Sequence, residues 1–255
     1  MLSVVIITKN EEKNIGRCLQ SVQSIADEVI VVDSFSTDGT ESICKKYGAR
    51  FVQHEWMGYI DTKNYANSLA NNDLIFSIDA DEAVSEELCQ SIQAIKNADV
   101  TGTVFSMNRR MNYCGKWILH GGWYPDEKVR IFDRKCVKWQ GKKVHETLDI
   151  PADFENVKLN GDLLHYSFYT IEQHRKQNEH FAQLSADEAI EKGKKVNFAT
   201  PYLHCVWKFI RDYILKGGFL DGGAGWQISK INARGIYLKY KLIRDTKGIP
   251  KNQCK

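Results

Sequence analysis

The chain has 255 residues, of which 43% are hydrophobic and 26% charged, with only 4 prolines. This balance is typical of one or two folded domains and excludes a collagen-like, low-complexity or disordered chain. The net charge of +3 conceals a basic C-terminal part, because residues 194–255 hold 13 Lys and Arg against 3 Asp and Glu, which predicts an anionic partner such as a phospholipid surface, a phosphorylated substrate or a nucleic acid.

The first hundred residues alternate β-branched runs with amphipathic stretches, which is the pattern of βαβ units around a parallel sheet. The apolar start lacks the basic region of a secretory signal and is interpreted as a buried strand. Neither a G-x-G-x-x-G turn after it nor a P-loop motif occurs, which disfavours dinucleotide and P-loop folds. The predicted strands are Ser3–Thr8, Glu28–Asp33, Arg50–His54 and Leu74–Ile78.

The second hundred residues contain shorter strands and loops rich in glycine and aromatic residues. Thr170-x-x-Gln173 has the form of a capping box and predicts a helix as far as Lys192. The 7 cysteines are scattered and include no C-x-x-C pair, so a reducing compartment fits better than a disulfide framework or a zinc site. The predicted strands here are Val129–Phe132, Gly141–Glu146 and Leu163–Phe168.

Residues 203–214 place apolar side chains on one helical face and charged ones on the other. No window reaches the roughly 18 uncharged apolar residues of a membrane-spanning helix. We therefore expect a domain over residues 1–194, divided near residue 100 into two halves, followed by a basic amphipathic helical extension over residues 195–255.

The sharpest local signal is Ile78-Asp79-Ala80-Asp81, where an apolar run ends abruptly in acid. Residues two apart share a face in an extended chain, so both carboxylates can reach one cation. Carboxylate oxygens suit Mg²⁺ or Mn²⁺, which retain water and also bind substrate phosphates. For an isolated D-x-D, a solvated strand end that caps the next helix is the alternative.

Two further polar segments follow strands of the same predicted sheet: Thr8-Lys9-Asn10-Glu11-Glu12 and residues 33–40. Open α/β sheets bind ligands at this edge. Together with Asp79-Ala80-Asp81-Glu82, these segments resemble glycosyltransferase family 2. The resemblance implies a GT-A (Rossmann-like) α/β fold with a mixed, mainly parallel sheet flanked by helices, and inverting transfer of a sugar from a nucleoside diphosphate donor.

The later motifs resemble the branch of that family that builds the lipopolysaccharide core, a β-1,4-glucosyltransferase branch. This resemblance implies a UDP-glucose donor, a lipid-linked glycan acceptor and a cytoplasmic location, peripheral on the inner face of the bacterial cytoplasmic membrane. Another cell-surface glycan stays open as the product. The segments concerned are His120–Asp126, Val129–Phe132, Val144–Glu146, Gly161–Tyr166 and Gly217–Gly222.

The resemblance also implies roles for individual residues near the donor. The nucleotide pocket comprises the side chains of Thr8, Asn10 and Glu11, while the Asp33 carboxylate contacts the nucleoside. Lys63 faces the donor phosphates. The metal is held by Asp81, with Asp79 touching the ribose or the metal and His145 as a further ligand.

For the general base, the position after the acceptor loop favours Glu146, with Asp126 as the rival. Trp123 and Tyr124 follow two glycines and are candidates for an acceptor platform, with a place in the core as the alternative. Arg130 is a candidate for binding a phosphate. His165 lies in an apolar run, where a core histidine is commoner than a metal ligand.

The basic extension contains aromatic and cationic residues suited to an anionic lipid surface, and a helical pair packed on the catalytic domain is the alternative. Two other functions remain open. A nucleotidyltransferase also uses paired Asp residues, but its glycine-rich basic loop is missing. The hypothesis of a non-catalytic nucleic-acid or membrane-binding module is supported only by the basic C-terminal extension, and we expect no nucleic-acid partner.

Overall fold

The computed structural model describes residues 1–96, 98, 100–142 and 145–246, without the side chains of residues 142 and 145. Besides the α-helices, the chain contains a π-helical segment, Ile210–Leu215, and a 3-10 turn, Gly218–Asp221. The helices are α1 (Ile15–Val22), α2 (Thr40–Lys46), α3 (Tyr59–Ser68), α4 (Glu86–Ile95), α5 (Ile171–Glu191), α6 (Thr200–Phe209) and α7 (Gly222–Asp245). The strands are β1 (Leu2–Thr8), β2 (Glu28–Asp33), β3 (Arg50–Gln53), β4 (Leu74–Asp79), β5 (Glu82–Val84), β6 (Thr103–Tyr113), β7 (Lys116–Trp117), β8 (Glu127–Asp133), β9 (Lys138–Lys142), β10 (His145–Asp149) and β11 (Glu155–Phe168).

The main sheet runs in the order β3-β2-β1-β4-β8-β6-β11-β5, with β7 paired to β6. Strands β3, β2, β1 and β4 are parallel, whereas β8 joins β4 in the antiparallel direction. The mixed, mainly parallel sheet is therefore confirmed for the first half of the chain. The predicted strand Gly141–Glu146 is instead a hairpin of β9 and β10, and residues 143 and 144 lie outside the described part.

Both faces of the parallel strands are covered, which explains why their sequences are continuous apolar runs. Leu2, Val4 and Ile6 of β1 join the core cluster that contains residues of α1, α2 and α4. Val5 points to the opposite face and joins the cluster with Ala66 of α3. The alternation of side chains along the strand thus supplies two cores, one on each side of the sheet.

The chain forms two compact units. The first comprises residues 1–110 and 126–166, and the second comprises residues 111–125 and 167–255. The long strands β6 and β11 each pass from one unit into the other, so the boundary expected near residue 194 falls inside the second unit.

The second unit is built mainly from α5, α6 and α7. The predicted capping box of α5 is present, since Thr170 accepts a hydrogen bond from the Gln173 backbone and the Gln173 side chain accepts one from the Thr170 N–H. Within the described residues, no helix combines the length and apolar content needed to cross a bilayer.

Candidate functional site

A cavity of about 550 Å³ opens in the first unit where β1 and β4 end. The strand order reverses at this pair, because β2 lies on one side of β1 and β4 on the other, and such reversals form crevices in open α/β sheets. Ile7 is paired with Asp79, which brings the ends of both strands to one edge. The lining residues are Ile7, Thr8, Lys9, Glu11, Trp56, Tyr59, Lys63, Asp79, Ala80, Asp81, Glu146 and His165.

Thr8 offers the cavity a hydroxyl group. Its Oγ1 is buried and has no hydrogen-bond partner within the described part of the chain. An unpaired buried hydroxyl costs free energy, so a bound ligand that hydrogen-bonds to it is favoured. Thr8 thus lines the cavity, and its contact with a nucleotide stays a prediction.

Asn10 and Asp33 lie beside the cavity but do not line it. The Asn10 N–H donates to Ser36 Oγ at 2.7 Å, and Asn10 Oδ1 accepts from the Thr37 N–H at 2.8 Å. Asp33 is fully buried, and its two carboxylate oxygens accept hydrogen bonds from the backbone and the hydroxyl of Ser36. These contacts fix the loop after β2, and the nucleoside contact expected of Asp33 stays a prediction.

Asp79 is held between two buried cations. Its Oδ1 lies 3.1 Å from Lys63 Nζ, and its Oδ2 accepts from Arg130 Nη2 at 2.8 Å. Arg130 also donates to Glu82 at 2.9 Å. Burial alone raises the pKa of Asp79, but Lys63 and Arg130 outweigh it and hold this pKa well below its usual range.

Arg130, the candidate for binding a phosphate, borders a second cavity of the first unit, but two carboxylates already hold its side chain, and a phosphate contact stays a prediction. Its side chain is only 4% exposed, and the two carboxylates neutralise its charge. A guanidinium buried this deeply requires such partners, since an unpaired buried charge is strongly unfavourable. In this structure, the Arg130 guanidinium holds the Asp79 carboxylate in place.

Asp81 has a different environment, in which it faces His165 and Glu11. His165 Nε2 lies 3.0 Å from Asp81 Oδ2. The pairing of β11 with β5 explains this proximity, because His165 is opposite Glu82 and the Tyr166 N–H donates to the Asp81 carbonyl. Burial raises the pKa of Glu11, and the Asp81 charge raises it further.

The carboxylate oxygens of Asp81, with those of Glu11 nearby, suit a hard divalent cation. Within the described residues, no group of three or more His, Cys, Asp or Glu side chains is arranged to hold a metal by itself. Mg²⁺ needs only one or two carboxylates when substrate phosphates and water complete its coordination. The residues present therefore fit a cation that arrives with a phosphorylated ligand, while the side chain of the predicted ligand His145 lies outside the described part.

Glu146 on β10 faces the same cavity and lies 3.7 Å from Lys63 Nζ. Lys63 also lies 4.5 Å from the ring centre of Trp139 on β9. The adjacent Asn64 attaches α3 to β9, because it donates to the Trp139 carbonyl at 2.8 Å and accepts from its N–H at 2.9 Å. Helix α3 thus positions both the ammonium group and the hairpin that carries Glu146.

Asp126, the rival base, lies outside this cavity. It forms ion pairs at 2.8 Å with Arg109 and with Lys128. Burial raises its pKa, but the contacts with Lys128 and Arg109 outweigh burial, and the net pKa is lowered. A carboxylate with a lowered pKa is a poor proton acceptor, so these contacts favour Glu146.

The aromatic residues proposed as an acceptor platform belong to the second unit. Trp123 packs against Tyr113, Phe168 and His174, with ring centres between 5.3 and 5.9 Å apart. Trp123 is partly buried and packs against the core cluster there, as in the alternative that the sequence left open. Tyr124 is half-buried and does not line either of the two cavities at Glu146.

The second of these cavities measures about 570 Å³ and also lies in the first unit. It shares Lys63, Asp79 and Glu146 with the first cavity and adds Arg109, Lys128 and Trp139, among others. Of the carboxylates, Asp79 and Glu146 line both spaces, and Asp79 is neutralised by its two cations. Glu146 therefore borders both cavities without being held between two cations.

Four cavity residues with polar or aromatic side chains were absent from the sequence-based site: Lys9, Trp56, Tyr59 and His165. Lys9 and His165 were present in the motifs that carried the resemblance. Trp56 and Tyr59 lie before and at the start of α3 in a segment without a recognisable pattern, so only the folded chain brings them to the cavity.

Comparisons with known proteins agree with this geometry. The family model described as "Glycosyl transferase family 2" matches residues 3–148. An uncharacterized glycosyltransferase of Rickettsia prowazekii is 32% identical over 96% of this chain and 87% of its own length. The lipopolysaccharide core biosynthesis glycosyltransferase LpsC of Rhizobium meliloti is 26% identical over 94% of this chain and 93% of its own.

Among solved structures, the mannosyltransferase PcManGT of Pyrobaculum calidifontis, in complex with GDP-Man and Mn²⁺, has a similar fold. The TM-score is 0.50 at 16% identity, over 94% of this chain and 86% of that one. The similarity extends over both units of the chain, since it covers nearly the whole sequence.

Proposed function

Because the chain belongs to glycosyltransferase family 2, with the GT-A fold expected of that family, we propose that it transfers a hexose with inversion from a UDP-sugar to an inner-core sugar of lipopolysaccharide or lipooligosaccharide. Glucose is the proposed hexose. The proposal also includes dependence on Mg²⁺ or Mn²⁺, a lipid-linked acceptor, and a peripheral location on the inner face of the cytoplasmic membrane.

One observation supports the reaction best. The cavity at the ends of β1 and β4 contains Asp81 and Glu146 with Lys63, which contacts Glu146 and Asp79. Transfer from a nucleoside diphosphate requires compensation of the leaving-group charge and removal of a proton from the acceptor hydroxyl. The cavity holds groups for both tasks.

Proton removal is assigned to Glu146. An acceptor hydroxyl that enters through the second cavity meets Glu146 Oε1, transfers its proton to this oxygen and attacks the anomeric carbon from the side opposite the diphosphate. A single base is sufficient for this displacement, which inverts the configuration at that carbon. Lys63 holds Glu146 in place and brings a positive charge to the donor side.

The leaving diphosphate is placed beside Asp81, with the Thr8 hydroxyl and Glu11 nearby. Asp81 would hold the proposed cation directly. Asp79 would contact the ribose or the metal less directly, because Lys63 and Arg130 already engage both of its oxygens. When bound, the cation compensates negative charge on the departing oxygens.

Two observations support the proposed class of acceptor. LpsC, which is a lipopolysaccharide core glycosyltransferase by name, aligns along almost the full chain. The motifs from His120 to Gly222 also resemble the glucosyltransferase branch of that pathway. A transferase for another cell-surface glycan is the second candidate, since the donor cavity suits any nucleotide sugar of this size.

The proposal is tested by incubating the protein with UDP-, GDP- and dTDP-sugars, with and without Mg²⁺ or Mn²⁺, and measuring nucleoside diphosphate release. We expect release from UDP-glucose that requires metal and increases when lipooligosaccharide lacking this hexose is added. No release from any donor, together with salt-dependent RNA binding, would instead support a non-catalytic module. Release from a different donor would change the proposed hexose.

A further inference from the structure

The apolar face of α6 and of the π-helical segment that follows it is exposed. Leu203 is 67% exposed, Trp207 55% and Ile214 54%, and Val206 lies on the same face. An amphipathic helix of a globular protein normally buries such a face, because apolar side chains leave water on folding. Here the face that normally points inward lies on the surface of its own unit.

The opposite face explains this orientation. Asp212 is only 2% exposed and forms ion pairs at 2.7 Å with Lys208 and at 2.8 Å with Arg211. Close packing fixes the helix, since a Cβ added to Gly218 lies 2.6 Å from the Asp212 carbonyl oxygen and one added to Gly225 lies 1.8 Å from the Gly218 carbonyl oxygen. The outward apolar face is therefore built into the fold of this unit.

The exposed apolar surface continues beyond α6. Between α6 and α7 lies a groove of about 450 Å³, lined largely by apolar and aromatic side chains together with Lys230 and Arg234. Contiguous apolar surfaces of this extent mark sites of protein or membrane contact. The further large exposed side chains between residues 198 and 226 are Phe198, Tyr202, Ile210, Leu215, Phe219, Leu220 and Trp226.

The charge around this surface indicates the charge of the partner that it binds. Residues 194–255 contain three acids, and none of them presents an unpaired charge to solvent. Asp212 and Asp221 are buried, and Asp245 forms an ion pair with Arg244 at 2.8 Å. The described part of this segment, residues 194–246, contains 10 Lys and Arg, which therefore dominate its charge and favour an anionic partner.

We propose that the exposed face of α6 and the π-helical segment, with the adjoining groove, inserts into the interface of an anionic lipid bilayer. Apolar and aromatic side chains enter the acyl boundary, while lysines such as Lys216 and Lys230 meet the headgroups. A second copy of the chain fits less well because two basic surfaces repel each other. A nucleic acid fits less well too, because it would contact the cationic side chains but leave the apolar side chains of Leu203 and Ile214 in water.

This inference deepens the proposed function, on which it rests for the lipid-linked acceptor, but its test requires no nucleotide sugar. The full chain is mixed with vesicles of pure phosphatidylcholine or of phosphatidylcholine with phosphatidylglycerol, and bound protein is measured by flotation. We expect binding to the anionic vesicles that weakens at about 1 M salt, where the Debye length falls to roughly 3 Å.

The variant Leu203→Glu replaces an exposed apolar residue, so it keeps the fold and removes one inserting side chain. We expect its affinity for anionic vesicles to fall roughly 10-fold or more. Leu184→Glu on α5 is the matched control, because Leu184 is also exposed but lies outside this surface. Circular dichroism and thermal unfolding verify that both variants are folded.

The inference is overturned if the wild-type chain does not bind anionic vesicles, or if Leu203→Glu and Leu184→Glu bind them equally well. A concentration-dependent dimer that Leu203→Glu disrupts, without vesicle binding, would identify a second copy as the partner. Metal-dependent release of UDP from UDP-glucose is measured in parallel without lipid. If the wild-type chain releases UDP but does not bind vesicles, only the proposed membrane surface is refuted. If it binds vesicles but does not release UDP, only the proposed reaction is refuted.

Discussion

Replacing Glu146 with Gln is the most direct test of the proposed chemistry, because the amide keeps the shape of the side chain but cannot accept the proton. Removal of a general base lowers the rate by about 10²-fold to 10⁴-fold. The smaller factor corresponds to about 2.7 kcal/mol in the activation free energy. We therefore expect the transfer rate of Glu146→Gln to fall by at least about 10²-fold while donor binding is retained.

The structure indicates that this variant remains folded. Lys63 loses a contact at 3.7 Å but keeps its contact with Asp79 at 3.1 Å, so its buried charge is still paired. The Glu146 side chain is partly exposed to solvent, and ion pairs of this kind contribute about 1 kcal/mol or less. A loss of 10²-fold in rate thus cannot be attributed to unfolding.

The matched control is Asp126→Asn, which makes the same chemical change at the rival position. This variant weakens ion pairs with Arg109 and Lys128, which are partly exposed and together contribute about 1–2 kcal/mol to the free energy of unfolding. Because Asp126 lines neither cavity, we expect its transfer rate to stay within about 3-fold of wild type, well below the effect of losing a base.

The assay is single-turnover transfer with saturating donor, combined with a separate measurement of donor affinity by titration calorimetry. Single turnover isolates the chemical step from product release. A near-normal rate for Glu146→Gln together with a strong loss for Asp126→Asn would refute the assignment and move the base to Asp126. Loss of donor binding in Glu146→Gln would place Glu146 in the donor pocket instead.

Three further predictions concern the metal, the pH dependence of stability and the backbone. Asp81→Asn removes the proposed metal ligand, so nucleoside diphosphate release should no longer respond to added Mn²⁺; a normal metal titration contradicts the assignment. Burial lowers the pKa of His174 to about 4 in the folded chain, against about 6.5 when unfolded, so its contribution to stability is complete above pH 6.5 and is lost as the pH falls toward 4. Between pH 7 and roughly pH 5.5, the free energy of unfolding measured with urea should fall by about 1 kcal/mol more for wild type than for His174→Gln. Equal decreases in the two proteins contradict this prediction. Gly161 has a φ of +92°, and an added Cβ lies 2.2 Å from the Leu88 nitrogen, so Gly161→Ala should lower the free energy of unfolding by about 3 kcal/mol, whereas an unchanged urea midpoint contradicts the proposed clash.

Local patterns in the sequence were sufficient for the parallel half of the fold. The β-branched runs of β1, β2, β3 and β4 and the capping box of α5 are signals between residues close together in the chain, and the structure contains each of them. Asp79 and Asp81 could be placed at a sheet edge for the same reason, since an apolar strand ends there. Such signals depend on side-chain alternation and backbone capping, which need no knowledge of distant residues.

Roles that depend on a distant partner could not be read in this way. Arg130 lies in an ordinary strand pattern, yet the folded chain buries it between Asp79 and Glu82. His165 was expected in the core, but strand pairing places it against Asp81. In both cases the neighbouring strand decides which charge the side chain meets.

The parallel strands, the acidic edge and the family resemblance could be read from the sequence, because these depend on short-range periodicity and contiguous motifs. That Glu146, rather than Asp126, shares the cavity with Lys63 depends on the folded chain, because α3 and the β9–β10 hairpin meet through contacts between residues far apart in the chain. The tertiary structure also decided which face of α6 is exposed, because an amphipathic pattern defines two faces while the packing around Asp212 selects the one that turns inward.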